Sequence, residues 1–190
     1  MSDYPVLSLE TAPDEARPVL EATQAAFGFI PNLLGVMAHS PALAEAYLIV
    51  SGLFDKTDLT PTERQVVLLT VSQYHGCHYC VAAHSALAEM QAVPADVVEA
   101  IRDGQAIADS KLQALREFVR VVVEKRGWLE AQDQQAFYAA GYQPRHVMDV
   151  LVGVAQKTMS NFTNHIAQTP LDNAFKAYAW GVGQVAAKNS

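Results

Sequence analysis

Apolar positions along this chain recur at helical rather than alternating spacing, and runs that read as strands are scarce. Helix starts are marked in a repeated form: Ser40-Pro41, Thr60-Pro61 and Thr169-Pro170 each set a capping hydroxyl before a proline at the first helical position. These signals predict helices over about 14–27, 31–38, 41–54, 61–74, 77–91, 94–103, 109–126, 130–140, 144–166 and 170–186. Gly76, Gly104, Gly127 and Gly141 fall where C-terminal caps belong. The connections are short enough for neighbouring helices to pack as antiparallel pairs, so the expectation is an all-α helical bundle forming one domain over 1–190.

A faint internal echo appears when Pro61–Val81 is laid on Pro144–Asn164. Pro61, Val67, Leu68, Val71 and Gln73 recur as Pro144, Val150, Leu151, Val154 and Gln156, and Cys77 and Cys80 fall on Ser160 and Thr163. A degenerate repeat of one helix pair would put oxygens in the second copy where the first has sulfurs. Two unrelated amphipathic helices opened by proline explain the echo equally well.

Composition narrows the function. Of 190 residues, 51% are hydrophobic and only 17% charged, which is sparse for a surface wholly in contact with water, and self-association is expected. Twenty acidic against thirteen basic residues give a net charge of -7 with no Lys/Arg cluster, which argues against nucleic acid and anionic membrane surfaces as partners. The opening MSDYPVLSLE lacks a basic region followed by an apolar stretch, and no long uninterrupted apolar run follows, so a cytoplasmic location is expected. Two cysteines in a reducing compartment are better candidates for redox or metal chemistry than for a structural staple.

Those cysteines, Cys77 and Cys80, lie three apart at the predicted start of a helix, and His84 follows one turn later. Side chains at this spacing share a face, which places two thiols and an imidazole together. The helix start favours thiolate, His84 can accept the Cys80 proton or stabilise its anion, and Cys77 can attack an oxidised Cys80 to close a disulfide. His84 would also return a proton to the leaving oxygen. That is the minimum equipment of a dithiol peroxidase. A structural zinc would need a fourth ligand beyond Cys77, Cys80 and His84, from His75 or His165, and two inert buried cysteines are the plainer alternative. His75 and His78 are expected to face solvent, His39 and His146 to cap or lie on the surface, and Tyr79 to pack.

The segment Cys77-His78-Tyr79-Cys80-Val81-Ala82-Ala83-His84, preceded by Val71-Ser72-Gln73-Tyr74-His75-Gly76, resembles the AhpD-like core of the carboxymuconolactone decarboxylase superfamily. Phe27-Gly28-Phe29-Ile30-Pro31-Asn32-Leu33, Ala38-His39-Ser40-Pro41 and Asn164-His165-Ile166-Ala167 extend the similarity towards its peroxidase-related members. The resemblance implies an all-helical fold, trimers or hexamers, and thiol-dependent reduction of alkyl hydroperoxides or hydrogen peroxide without a bound cofactor or metal. It also implies that Cys80 attacks, that Cys77 resolves, and that a lipoyl or thioredoxin-like dithiol restores the pair. Alternatives are a decarboxylase of the same superfamily, whose chemistry needs no cysteine pair, and a non-enzymatic redox-sensing or ligand-binding module.

The chain departs from the family at one position. A glutamate is common twelve residues before the first cysteine, and here that residue is Gln65, which can hydrogen-bond but cannot carry a proton. Glu63 is the candidate substitute, yet two residues along a helix is a rotation of about 200°, and Thr60-Pro61-Thr62-Glu63 already reads as a capping box. The candidate site is therefore Cys80, Cys77 and His84 with Gln65 and Glu63, the last favoured as a cap.

Overall fold

In the computed structural model, which describes residues 3–181, the described chain is helical with no strand, as the apolar periodicity predicts. A 3-10 turn at Asp14–Ala16 leads into α1 (Arg17–Phe27), followed by α2 (Asn32–Met37), α3 (Pro41–Phe54), α4 (Pro61–Tyr74), α5 (His78–Met90), α6 (Ala95–Arg102), α7 (Ser110–Glu124), α8 (Ala131–Ala139) and α9 (Pro144–Ala167). The predicted starts at Ser40 and Thr60 are real N-caps, each side chain accepting a hydrogen bond from the backbone three residues on.

α4 is the central post, packed against α5, α6, α7 and α9. Every residue from Val66 to Ser72 is buried, so the helix has no water-facing side there. Around it the main core gathers Phe54, Val97, Ile101, Leu115, Val119 and Val150, each contributing roughly 1.5–3 kcal/mol by burial. Within this core Phe118, Phe137 and Tyr142 stack with centroids 4.1 and 4.3 Å apart. A smaller cluster under α1–α3 joins Leu20, Leu33, Leu34 and Met37 to Cys77, Tyr79 and Cys80.

α9 lies close against α3 and α4 because Gly153 has no side chain. A Cβ there would stand 2.7 Å from Val67 Cγ1 and 2.9 Å from the Phe54 ring. This close approach brings the polar residues of α9 down onto the start of α5.

Two expectations need correction. α9 runs unbroken, because Met159 stands where the helix-ending Gly76 stands in the first segment, so the second segment does not repeat the helix pair. The predicted helix over 170–186 does not form in its described part. Gln168 turns left-handed at φ 51° and ends α9, and the chain beyond it holds only a 3-10 stretch at Asn173–Tyr178. Tertiary bonds override Thr169-Pro170: the Asp172 carboxylate accepts from Asn32 N at 3.0 Å and from the Tyr79 hydroxyl, which straps this segment to α2 and α5. The remainder of that predicted helix, from 182 onward, lies outside the described residues.

Candidate active site

The turn between α4 and α5 places the sulfurs. Gly76, at φ 68°, supplies the left-handed residue of a Schellman motif in which Cys77 N donates to Ser72 O at 2.9 Å and Gly76 N to Gln73 O at 3.0 Å. Cys77 is then the N-cap of α5, and Cys80 sits one turn in on the same face. Both thiols are free and only 1% exposed. Asn164 of α9 spans them, its Nδ2 donating to Cys80 Sγ at 3.2 Å and to Cys77 Sγ at 3.8 Å.

Polar side chains surround this buried pair. Lys157 is 1% exposed, and Ser160, Asn161 and Asn164 follow it at i+3, i+4 and i+7 along α9, all buried. The Lys157 ammonium hydrogen-bonds His84 Nε2 at 2.8 Å, and its charge faces Cys80. With Lys157 donating, the His84 proton is on Nδ1 and is donated to Gln65 Oε1 at 3.1 Å, while Gln65 Nε2 donates onward to Gln91 Oε1 at 3.1 Å. His75 Nδ1 donates to Asn161 Oδ1 at 2.9 Å, so His75 is tied to the site and does not simply face solvent. Asn164 Oδ1 is buried without a partner among the described residues, an open acceptor beside the sulfurs.

The two thiols are driven apart in acidity. Burial opposes ionisation of Cys80, but the Cys77 S–H, the Lys157 charge and hydrogen bonds from Ser160 and Asn161 together hold it well below the ordinary thiol range. Cys77 moves the other way, kept protonated by its hydrogen bond to Cys80, by burial and by the adjacent negative charge. The sequence argument that a helix-start thiol is the acidic one thus fails for Cys77, because anion stabilisation is concentrated one turn later. Lys157 is lowered by burial, yet the facing Cys80 thiolate, with Tyr47 and Cys77 behind it, raises it above the ordinary amine range.

His84 differs most from its expected behaviour. Burial and the Lys157 charge hold its pKa well below the ordinary imidazole range, and both ring nitrogens are engaged, so it is a neutral ring supporting Lys157. Neither nitrogen is free to complete a Cys77–Cys80 metal site, and the described residues contain no group of three or more His, Cys, Asp or Glu placed to hold a metal ion. Glu63 is engaged elsewhere: its Oε2 accepts from Thr60 N at 2.8 Å, its Oε1 accepts from the Tyr142 hydroxyl at 3.0 Å, and Lys111 pairs with it at 3.0 Å. It is a capping residue with a buried carboxylate, and it belongs to a different cluster from the sulfurs. His78 Nδ1 donates to Trp180 O at 3.0 Å, and Tyr79, placed between the cysteines, anchors Asp172 and α2 through its hydroxyl.

Lys157 and Asn161 were not singled out from the sequence, and Ser160 and Asn164 entered only through the internal echo and the resemblance, without a role at the sulfurs. The available signal was a stripe of polar side chains at helical spacing, starting with a lysine, on a helix whose other positions include Val147, Val150 and Gly153. A polar stripe aimed at a core has to meet polar partners, and the cysteines of α5 are those partners.

Residues 41–124, from the start of α3 to the end of α7, match the carboxymuconolactone decarboxylase family, in agreement with the resemblance carried by the CxxCxxxH segment. No curated protein is a significant match for the chain. Among solved structures, it is similar to the alkylhydroperoxidase AhpD core of an uncharacterized peroxidase-related protein from Ralstonia eutropha JMP134, with TM-score 0.79 and 24% identity over 92% of this chain and 94% of that one. An uncharacterized peroxidase-related protein from Silicibacter sp. TM1040 gives TM-score 0.76 and 19% identity over 91% and 94%. The debrominase Bmp8, in a cysteine-to-alanine form complexed with 2,3,4-tribromopyrrole, gives TM-score 0.77 and 18% identity over 94% and 96%.

Proposed function

We propose that this chain, which matches the carboxymuconolactone decarboxylase family over residues 41–124 and has an AhpD-like fold, is a thiol-dependent peroxidase working through Cys80 and Cys77. One observation carries the reading: two thiols one turn apart, one held as thiolate and the other protonated, bridged by the Asn164 amide. Cys80 attacks the terminal oxygen of a hydroperoxide, forming an S–O bond as the O–O bond breaks, and an alcohol or water leaves. Cys77 then attacks the Cys80 sulfenic sulfur, an S–S bond replaces the S–O bond, and water leaves. An external dithiol, lipoyl or thioredoxin-like, reduces the disulfide.

The unpartnered Asn164 Oδ1 supports this assignment, since it can accept the hydroperoxide O–H while Nδ2 holds the sulfur. The depth of the sulfurs favours a compact peroxide over a bulky lipid hydroperoxide. A homo-oligomer fits the surface: Met148, Leu151, Phe162 and Ile166 expose an apolar stripe along α9, next to exposed Ile49 and Leu53 on the α3 that packs beside it. Among the described residues no helix is long and apolar enough to cross a membrane.

The test supplies hydrogen peroxide or a small alkyl hydroperoxide with a defined dithiol reductant. Peroxide consumption should be stoichiometric with dithiol, and a Cys77–Cys80 disulfide should appear in mass spectra when reductant is withheld. Peroxide left intact, with both thiols still reduced, rejects the proposal. A brominated pyrrole belongs in the same panel, because the debrominase shares the fold; bromide release without peroxide consumption would replace peroxidase with dehalogenase.

A further inference from the structure

Lys157 is a buried cation with no carboxylate partner among the described residues. Among the described residues no Asp or Glu lies within ion-pair reach of it, although seven ion pairs are formed elsewhere. An uncompensated buried ion costs several kcal/mol, so the charge persists only where something answers it. Neutral His84 Nε2 accepts a hydrogen bond from the ammonium but carries no charge, and Cys80 is the foremost charge that raises its pKa. Among the described residues the foremost negative charge facing it is therefore one that redox chemistry removes. Gln65, at the far side of His84, can orient the ring but cannot pass a proton.

We propose that Lys157 is a catalytic residue, the resident counter-ion of the Cys80 thiolate and the proton donor to the oxygen that leaves the peroxide, with His84 and Gln65 as its positioning residues. The proposal rests on the peroxidase reading and deepens it. The proton balance closes. In the reduced site Cys80 is thiolate, Cys77 is thiol and Lys157 is ammonium. Attack on R–O–O–H oxidises Cys80 sulfur by two electrons and reduces the peroxide by two. The departing RO takes a proton from Lys157 and leaves as ROH, with Cys80 sulfenic acid and a neutral amine remaining. The amine then takes the Cys77 proton and passes it to the hydroxyl displaced as Cys77 attacks, which leaves as water. The oxidised site holds a disulfide facing a neutral amine, with no unpaired charge. Reduction by a dithiol returns two protons, one to Cys77 and one to Lys157.

Other titratable groups facing the site are His75 at the end of α4, Cys77 at the N-cap of α5, Tyr79 and His84 on α5, His165 on α9 and Tyr47 on α3. His165 has its pKa lowered by burial, and a His165→Asn control separates its step from that of Cys80.

The experiment follows the ultraviolet thiolate band against pH in a Cys77→Ser background, with and without Lys157→Met. Loss of the cation should raise the Cys80 midpoint by about 1–3 pH units; an unmoved midpoint overturns the pairing. Methionine fills the buried volume and suits folding, and Lys157→Gln provides a second neutral variant. The donor role is read from the rate of sulfenic acid formation above the raised midpoint, where Cys80 is ionised in every variant. Lys157→Met should remain at least about 10-fold slower there, on the scale of a lost general acid. Lys157→Arg should keep an acidic Cys80 yet stay slow, because a guanidinium does not release its proton. Either variant matching the unmodified lysine in rate overturns the donor role. If no variant, nor the parent, consumes hydroperoxide, the peroxidase reading fails while the band midpoint still decides the pairing.

Discussion

Two buried charges, Glu63 and Lys157, stand on neighbouring helices in very different company. Glu63 at the start of α4 is answered on every side: Thr60 N–H and the Tyr142 hydroxyl donate to its oxygens, and the half-exposed Lys111 ammonium sits 3.0 Å away. Lys157 on α9 is answered by a ring nitrogen and a sulfur that is negative only while reduced. A charge with permanent partners holds a fold together, whereas a charge whose partner is consumed by reaction is tied to the chemistry. The sequence favoured Glu63 as a cap over a proton carrier, as its partners agree, and left Lys157 without a role, whereas partner geometry sets Lys157 beside the sulfurs.

The contrast breaks most visibly at the nucleophile. Cys80→Ser should lower peroxide consumption by on the order of 10³-fold or more, as removal of a nucleophile does elsewhere. Cys77→Ser should retain a burst of about one equivalent and then stall as sulfenic acid, which a sulfenate-trapping reagent followed by mass spectrometry would detect. A Cys80→Ser protein that turns over normally would transfer the site elsewhere.

Glu63→Ala should act on stability and leave the thiols alone. Loss of the cap alone costs about 0.5–2 kcal/mol, and the orphaned Tyr142 hydroxyl adds to it, read by denaturant unfolding. The pH dependence carries a definite sign. Burial would raise the Glu63 pKa, but the Thr60 backbone bond and the Lys111 and Tyr142 contacts outweigh it and hold the folded value below the ordinary carboxylate range. Its stabilisation is thus present above the ordinary glutamate pKa and disappears as pH falls through the lowered folded value. In Glu63→Ala that part of the acid sensitivity should vanish, with turnover per folded molecule unchanged.

Gly153→Ala should be comparable or smaller, about 1–3 kcal/mol, because the added methyl meets Val67 and Phe54 and pushes α9 outward. Since α9 carries Lys157 and Asn164, this variant should also weaken the thiolate band, whereas Glu63→Ala should not. Gln65→Glu gives the most local effect: a carboxylate on His84 Nδ1 should raise the histidine pKa by about 1–3 units in an NMR titration, without unfolding the protein.

The sequence revealed those parts of the molecule that depend on local signals. Ser40 and Thr60 before proline marked real caps, Gly76 marked the turn that sets Cys77 and Cys80, and the apolar run in α4 marked the buried post. Thr169-Pro170 misled because Asp172, reaching Asn32 and Tyr79, draws that segment away from a helix through contacts more than 90 residues distant in sequence. The site was legible on α5 but not on α9, since the spacing CxxCxxxH lies within one helix while Lys157 and Asn164 meet it only through tertiary packing around Gly153. His84 joins the cluster through Lys157, and its protonation depends on burial and on that lysine, which comes from another helix.

The most direct measurement is the thiolate count at neutral pH, taken from the ultraviolet absorbance of the reduced protein and of its Cys77→Ser variant. The account predicts one thiolate in each, persisting well below the ordinary thiol pKa. Two protonated thiols in the reduced protein, ionising only in the alkaline range, would contradict it.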